Sequence, residues 1–577
     1  MSYDVEKIKR ITRKQFGEDF EFRPGQLEAI TDILTAYHSG TVEMYLLDAP
    51  TGSGKSFIAM IVSAVLEEDG KSGYILTSEI TLQKQYEKDL KEHRVGWGTV
   101  YGGDNYSCVV NNLPFFIGDC RLKNIGYESA ESLDCFKDCG YLTNRKMAVN
   151  SSVSLLNYSY ALIQRNYVED MSQQSDRPVP FKQRDFVFCD EAHNITSIVQ
   201  GHFSPRFSKS GMSKLKNLMH FLKTKGLSYP QFDGEEFDNL LDMFFEEEDP
   251  QELVDGLKHC LELLRRGTEC NTELKDTAGK RFHKDNPIPR DWSTAMSNAS
   301  FWKDCLCKVE DFIEIIEKTG MEYMTKTAGL EEIVFNCLDE SYMMEKHFHQ
   351  RFGFKIFMTA TMGNPRHFLK MIGGRNARYN KIKSSFNFEK SPIYLYNGKR
   401  MGFKDIDRNL PWMIGEVERI LLKHPNESGI IHSGSYHLSK RLYEGLTKNI
   451  QKRILLYDGT DGKISALSTF ERESNLFVMG PSLLEGIDLK GDKSRVQIFI
   501  KVPYPSLANR FVKRKMELQP EWYQWRTCTG IAQGVGRSIR DESDWAVTYM
   551  LDACFYDLLR EPLNFPAEFK DRIIHIK

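Results

Sequence analysis

The sequence predicts an α/β protein built on two doubly wound parallel sheets. Three observations carry that expectation. Short apolar runs of strand length recur at 42–47, 73–77, 186–189, 355–359, 429–432, 453–457, 476–479, 496–502 and 546–551. Helical stretches alternate with them, and the runs fall into two groups, one before about residue 375 and one after. Strands that are apolar throughout and separated by helices belong to parallel sheets covered on both faces. A chain of 577 residues, 41% hydrophobic and 27% charged, suits a multidomain globular protein and excludes a disordered or fibrous one.

In chain order, the first group opens with a strand at 42–47, a glycine-rich turn and a helix-like stretch. Two segments then break the rhythm. Residues 105–145 are rich in Cys, Gly, Asn and Asp and have no period, whereas residues 200–335 read as helical, with Leu253, Leu257, Leu261 and Leu264 on one helix face. The expected division is therefore a first lobe in three parts (1–105, 146–200 and 336–375), a cysteine-rich insertion at 106–145, a helical insertion at 201–335, and a second lobe at 376–577. The acidic run 246–249 reads as a solvated helix end.

No apolar run approaches the 18 or more residues that span a bilayer, and the first 16 residues mix charge with isolated apolar groups, unlike a signal peptide. An intracellular protein without membrane contact is expected, cytoplasmic in a prokaryote or virus, with the nucleus left open. Net charge is −3, so a nucleic-acid partner would need a local basic surface. Twelve cysteines without secretory context point away from disulfides, and clustered ones toward metal ligation.

The segment Ala49-Pro50-Thr51-Gly52-Ser53-Gly54-Lys55-Ser56 sits between strand and helix. Its glycines, Gly52 and Gly54, let backbone N–H groups face a phosphate; Lys55 can reach the β and γ oxygens, and the Ser56 hydroxyl can coordinate Mg²⁺. Ala49 stands where the first glycine of such loops is usual. Asp190-Glu191-Ala192-His193 follows an apolar strand, where ligands of open α/β sheets bind; Asp190 can hold Mg²⁺ and Glu191 can orient or deprotonate water. His193 has an alternative role, joining the two lobes by a hydrogen bond. In Gln533-Gly534-Val535-Gly536-Arg537-Ser538-Ile539-Arg540, the spacing places Gln533, Arg537 and Arg540 on one helix face, where guanidinium groups could stabilise phosphoryl transfer.

Those motifs, in order with Thr359-Ala360-Thr361 and Glu485-Gly486-Ile487-Asp488, resemble a superfamily 2 DEAH-box helicase. With Lys501-Val502-Pro503-Tyr504-Pro505, the sequence is similar to the XPD and DinG iron-sulfur helicases. Phe22-Arg23-Pro24-Gly25-Gln26 matches that family's adenine-reading segment, which assigns Arg23 and Gln26 to nucleotide binding. Residues 77–85 match a DNA-contacting motif, and Ser433-Gly434-Ser435 fits the opening of the second lobe. The resemblance implies two RecA-like lobes with ATP between them. Lys55, Ser56, Asp190 and Glu191 would come from the first, and Glu485, Asp488, Gln533, Arg537 and Arg540 from the second. It also implies an iron-sulfur insertion, an arch-like helical insertion and 5′ to 3′ movement on single-stranded DNA.

Cys108, Cys120, Cys135 and Cys139 are the densest cysteines in the chain. Thiolates suit both tetrahedral zinc and iron-sulfur clusters, and spacing alone leaves both open. Their location resembles that of the XPD and DinG ligands, which implies a [4Fe-4S] cluster. Arg510, Lys513, Arg514 and Lys515 lie near Tyr504, Trp522, Tyr523 and Trp525, either as a nucleic-acid surface or as a solvated helix beside core aromatics. Tyr158 is equally open. The expected function is an ATP-dependent DNA helicase, a monomer acting on single-stranded and forked DNA, with ATP, Mg²⁺ and the cluster. The alternatives are an RNA-directed helicase and an ATP-switched nucleic-acid clamp.

Overall fold

The computed structural model describes residues 3–112, 114–115, 118, 120, 125, 127, 129–168, 180–230, 234–282, 289–384, 388–481, 483, 491–539, 544–560 and 564–576. The strands are β1 (Met44–Asp48), β2 (Gly73–Thr77), β3 (Gly98–Thr99), β4 (Val153–Asn157) and β5 (Phe186–Cys189), then β6 (Arg206–Ser208), β7 (Met324–Ala328) and β8 (Glu332–Cys337). β9 (Phe354–Thr359) and β10 (Ala377–Lys381) return to the first group. The second comprises β11 (Ile393–Tyr396), β12 (Gly429–His432), β13 (Ile454–Leu456), β14 (Phe477–Gly480), β15 (Val496–Phe499), β16 (Val547–Met550) and β17 (Ile573–Ile576).

Two seven-stranded parallel sheets form, ordered β10-β1-β9-β5-β2-β4-β3 and β13-β14-β12-β15-β16-β11-β17. This is the predicted doubly wound class. The first sheet reaches Lys381, so the expected lobe boundary at residue 375 falls one strand early. β10 reads Ala-Arg-Tyr-Asn-Lys with two exposed side chains because it is an edge strand paired with β1 alone, and it therefore lacks the apolar signature of a central strand. β17, Ile-Ile-His-Ile, is the other edge strand, paired with β11 alone and half exposed.

Register decides what the first sheet presents. Asp48 of β1 lies opposite Thr359 of β9, and Cys189 of β5 lies opposite Phe357 of β9 and Leu76 of β2. The C-terminal ends of β1, β5 and β9 are therefore nearly level along one edge, which is where an open α/β sheet binds ligand.

The helical insertion is a set of antiparallel helices standing on a small sheet, β6-β8-β7, whose strands the sequence did not announce. Its longest members are Pro250–Arg281 and Arg290–Thr319. Asp249 caps the first by accepting from the N–H groups of Gln251 and Glu252, with Pro250 next to it. Leu253, Leu257, Leu261 and Leu264 are buried as their spacing predicts. Trp302 crosses between the two helices and donates to Leu264 O at 2.8 Å. Gly267 leaves it that space, since a Cβ there would fall 2.1 Å from the indole. Among the described residues no helix is long and apolar enough to cross a membrane.

The cysteine-rich insertion does not stand apart. Phe115, Ala130, Cys139 and Tyr141 share one apolar core with Leu156 and Tyr158 of the first lobe. The Phe115 and Tyr141 rings lie 4.0 Å apart, and the Tyr141 and Tyr160 hydroxyls are 3.2 Å from each other.

The lobes meet at helix Arg510–Leu518. Lys515 is completely buried and pairs at 2.6 Å with Glu340, while its ammonium lies 4.5 Å from the Trp522 ring centroid. Arg510 pairs with Glu248, which also lies 3.4 Å from Lys326, and Arg514 pairs with Glu517 at 2.8 Å. The basic cluster is thus largely turned to the protein's own acids. Trp522 and Trp525 are core residues, and Tyr504 and Tyr523 stack on each other at 5.5 Å. The acidic run 246–249 is likewise more than a solvated end: Glu248 reaches across to the second lobe.

Candidate nucleotide site between the two lobes

The turn after β1 is shaped by two left-handed glycines, Gly52 at φ 84° and Gly54 at φ 76°. Helix Lys55–Glu68 begins directly behind it. Arg23 donates to Gly52 O, and Gln26, 1% exposed, donates to Ser53 O at 2.9 Å and to Gly54 O at 3.3 Å. Arg23 N–H in turn donates to Gln26 Oε1 at 2.8 Å. Both residues assigned to the nucleotide are therefore clasped to the loop itself. A Cβ at Gly54 would collide with Gln26 Nε2 at 2.2 Å, so glycine is needed there for space as well as for backbone angle. Lys55 Nζ lies 3.3 Å from Ala49 O. The carbonyl of the unusual Ala49 is used, and its methyl is buried.

Asp190 emerges from β5 fully buried. Its Oδ2 accepts from the Tyr86 hydroxyl at 2.8 Å, its Oδ1 from the Glu191 N–H at 2.9 Å, and its backbone carbonyl from the Tyr158 hydroxyl at 2.9 Å. Burial and the charge of Glu191 push its carboxyl up, while the Lys55 ammonium pulls it down. Lys55 and Asp190 thus act on each other electrostatically. Mg²⁺ in nucleotide sites takes one or two carboxylates with substrate phosphates and water, rather than a cage of protein ligands. A single buried carboxylate, Asp190, within electrostatic reach of Lys55 fits that demand, and Ser56 next to Lys55 in the chain is partly exposed.

Glu191 is held at φ 49°, in the left-handed region that non-glycine residues rarely enter, a strain of about 1–3 kcal/mol. Its Oε2 lies 3.4 Å from His193 Nδ1. His193 is the pivot of the cleft. Its Nδ1 is 2.9 Å from Thr359 Oγ1, and its Nε2 meets Gln533 Nε2 of the second lobe. With Nε2 accepting from the Gln533 amide, Nδ1 carries the proton and donates to Thr359. Thr359 Oγ1 also accepts from the Thr361 N–H at 3.1 Å. Beyond it, the Met362 carbonyl accepts from Trp525 Nε1 at 2.8 Å. Gly363 at φ 67° lets the chain pass, since a Cβ there would come 2.9 Å from that indole.

One expectation on the second lobe is corrected. Helix Pro520–Gly536 stops at Gly536, so Arg537 caps it instead of continuing the face of Gln533. Two glycines within three residues weaken the helix at that point. Arg537 is half-buried and bears electrostatically on Lys463, whose ammonium is pushed down by its own burial and then by Arg537. Arg540, Glu485 and Asp488 lie outside the described residues. Tyr86 was missed near Asp190, and Tyr158 was weighed only as a nucleic-acid contact. No local motif marks them, because they reach Asp190 from other strands and helices.

The four cysteines Cys108, Cys120, Cys135 and Cys139 act on one another. The Cys135 thiol is pushed up by burial and then by Cys120, Cys139 and Cys108, and the Cys139 thiol by burial with Cys120 and Cys108. Gly118 abuts the first of them, where a Cβ would lie 2.9 Å from Cys108 Cβ.

Residues 19–223 match the family described as type III restriction enzyme, res subunit, and residues 417–559 match the helicase C-terminal domain. The ATP-dependent DNA helicase YoaA of Haemophilus influenzae is 27% identical over 219 residues, 34% of this chain and 32% of that protein. These matches make the chain similar to ATP-dependent helicases. A second helicase, named "Probable ATP-dependent helicase MJ0942" of Methanocaldococcus jannaschii, is 21% identical over 91% of both chains. Among solved structures, S. tokodaii Xpd4 (15% identity, 96% of this chain and 100% of that one, TM-score 0.57) and an XPD helicase (16%, 96% and 100%, TM-score 0.58) share the fold. The match to YoaA spans about a third of that helicase's length. The family matches and both relatives support an ATP-hydrolysing helicase, and the XPD structures share the fold of two parallel-sheet lobes.

Proposed function

We propose that the chain is an ATP-dependent DNA helicase that moves 5′ to 3′ along single-stranded DNA and separates strands at forks as a monomer. The observation that carries this reading is the contact of His193 with Gln533 across the cleft, because it joins the Glu191 loop of one lobe to the arginine-bearing segment of the other. Residues that handle a γ-phosphate would then feel lobe closure directly, which is what converting hydrolysis into steps requires.

Lys55 would bind the β and γ oxygens from the start of its helix, where anions are favoured. Glu191 would take the proton of the attacking water, its carboxylate steered by His193. Arg537 would stabilise charge that grows on the transferred group. Ser56 and Asp190 would hold Mg²⁺, which when bound neutralises phosphate charge. Cys108, Cys120, Cys135 and Cys139 would hold a [4Fe-4S] cluster. The mutual influence of the four thiols and the likeness of their place in the chain to that of the XPD and DinG ligands support this reading. DNA as the substrate is supported by the resemblance to a named DNA helicase.

Turnover by Lys55→Ala and Glu191→Gln tests the chemistry. The first should abolish hydrolysis while single-strand binding persists, and the second should bind ATP without turning it over. Strand displacement on matched DNA and RNA forks tests the rest. Unwinding of RNA alone would redirect the reading to an RNA helicase, and ATPase without displacement to a clamp.

A further inference from the structure

We propose that Tyr86 is the positioning residue that fixes the Asp190 carboxylate in the orientation Mg²⁺ requires. The inference rests on reading Lys55, Ser56 and Asp190 as the Mg²⁺ and nucleotide site.

Asp190 is a charged group in a dry place, and among the described residues its two oxygens each have one protein donor. The Glu191 N–H is part of the same loop and moves with it. The Tyr86 hydroxyl does not: it comes from helix Ile80–Glu92, which follows β2, and it is itself completely buried. A phenol is a single donor on a rigid ring with few rotamers, so it fixes the carboxylate in direction as well as in distance. A ligand's hydrogen-bonded neighbours commonly change metal affinity by 10- to 100-fold when removed.

The helix carrying Tyr86 is anchored independently. Gln83, one turn earlier and also fully buried, donates to Val100 O at 3.0 Å and Leu155 O at 3.2 Å, locking the helix to the sheet. Thr81, Lys84 and Gln85 point outward on the opposite face. The hydroxyl is therefore delivered from a fixed support. Tyr158 offers a built-in comparison. It is equally buried and equally close, but its hydroxyl serves the Asp190 backbone carbonyl and leaves the carboxylate alone.

The experiment titrates Mn²⁺ by electron paramagnetic resonance into the full chain with a non-hydrolysable ATP analogue, comparing wild type, Tyr86→Phe and Tyr158→Phe. Each variant keeps its ring and loses one hydroxyl. Tyr86→Phe should weaken Mn²⁺ binding about tenfold or more, with analogue binding in chelator unchanged, while Tyr158→Phe stays within about twofold. Unchanged Mn²⁺ affinity in Tyr86→Phe would overturn the proposal. So would equal losses in both variants, or a Tyr86→Phe protein that fails to fold where Tyr158→Phe folds, since the hydroxyl would then serve packing. A wild type that takes up no Mn²⁺ with the analogue would instead remove the nucleotide-site reading beneath it.

Discussion

Arg537 shows what one residue can be asked to do. It caps a helix broken by two glycines, is half-buried, and has a second cation, Lys463, for a neighbour. A guanidinium acting on developing charge contributes to the maximal rate rather than to ground-state binding. Arg537→Ala should lower kcat by about 10³ or more with KM changed only a few-fold, and Arg537→Lys should not restore it, because the planar fork is lost. Steady-state ATPase kinetics decide the point; a change confined to KM would make Arg537 a ground-state ligand. His347 makes a different test. It stacks on Phe203 at 3.7 Å, and burial, with Lys346 and Arg351 beside it, pushes its imidazole down to about 3. A free imidazole takes up a proton near 6.5, so between those values the unfolded chain binds the proton and the folded chain does not. The stability tied to neutral His347 is therefore present above about pH 6.5 and lost as pH falls toward 3. Relative to His347→Phe, which keeps the stack, the wild type should lose about 2 kcal/mol between pH 7 and pH 5. Urea unfolding at both values measures it.

At the scale of elements, helix Arg510–Leu518 is the piece whose role the sequence concealed. Four cations within six residues read either as a surface for phosphates or as a solvated helix beside core aromatics, yet one is fully buried against Glu340 and two more are paired with acids. Removing one partner of a buried pair strands the other's charge, whereas removing both is far milder. Lys515→Met should therefore destabilise the protein by about 3–5 kcal/mol, and Lys515→Met with Glu340→Gln should recover most of that. Urea titration of both variants checks the expectation. A double variant as unstable as the single one would mean that Lys515 matters for its packing on Trp522 instead. Gln26, which the motif marks as a nucleotide reader, also donates in the folded chain to carbonyls of the phosphate loop.

For the whole molecule, the cysteine-rich insertion shares the first lobe's core yet lies outside its sheet. Cys135→Ser should lose the metal and strand separation while basal ATPase survives, because β1 and β5 are paired with β9, a strand outside the insertion. Iron content, single-strand-stimulated ATPase and 5′ to 3′ unwinding on one preparation test this. Wild type should carry about four irons per chain, zinc in their place would remove the cluster assignment, and full unwinding by a metal-free variant would separate the insertion from strand separation.

The sequence by itself determined whatever is written in consecutive residues. Gly52, Gly54 and Lys55 dictate a phosphate-facing turn through backbone freedom and helix start, and buried strands such as β2, β5 and β12 advertise themselves by being apolar throughout. Edge strand β10 stayed hidden because its side chains are largely polar and two face solvent, while the buried strands β4 and β11 and the edge strand β17, all short, also passed unread. Only the tertiary structure decided which groups complete the site. Tyr86 and Tyr158 are 104 and 32 residues from Asp190, and Gln533 is 340 from His193. Nothing in the sequence marks the bonds of Tyr86 and Tyr158 to Asp190, whereas a lobe-joining bond of His193 was anticipated and only its partner, Gln533, awaited the fold; these contacts exist because parallel register levels the strand ends and lobe packing brings the second sheet to meet them.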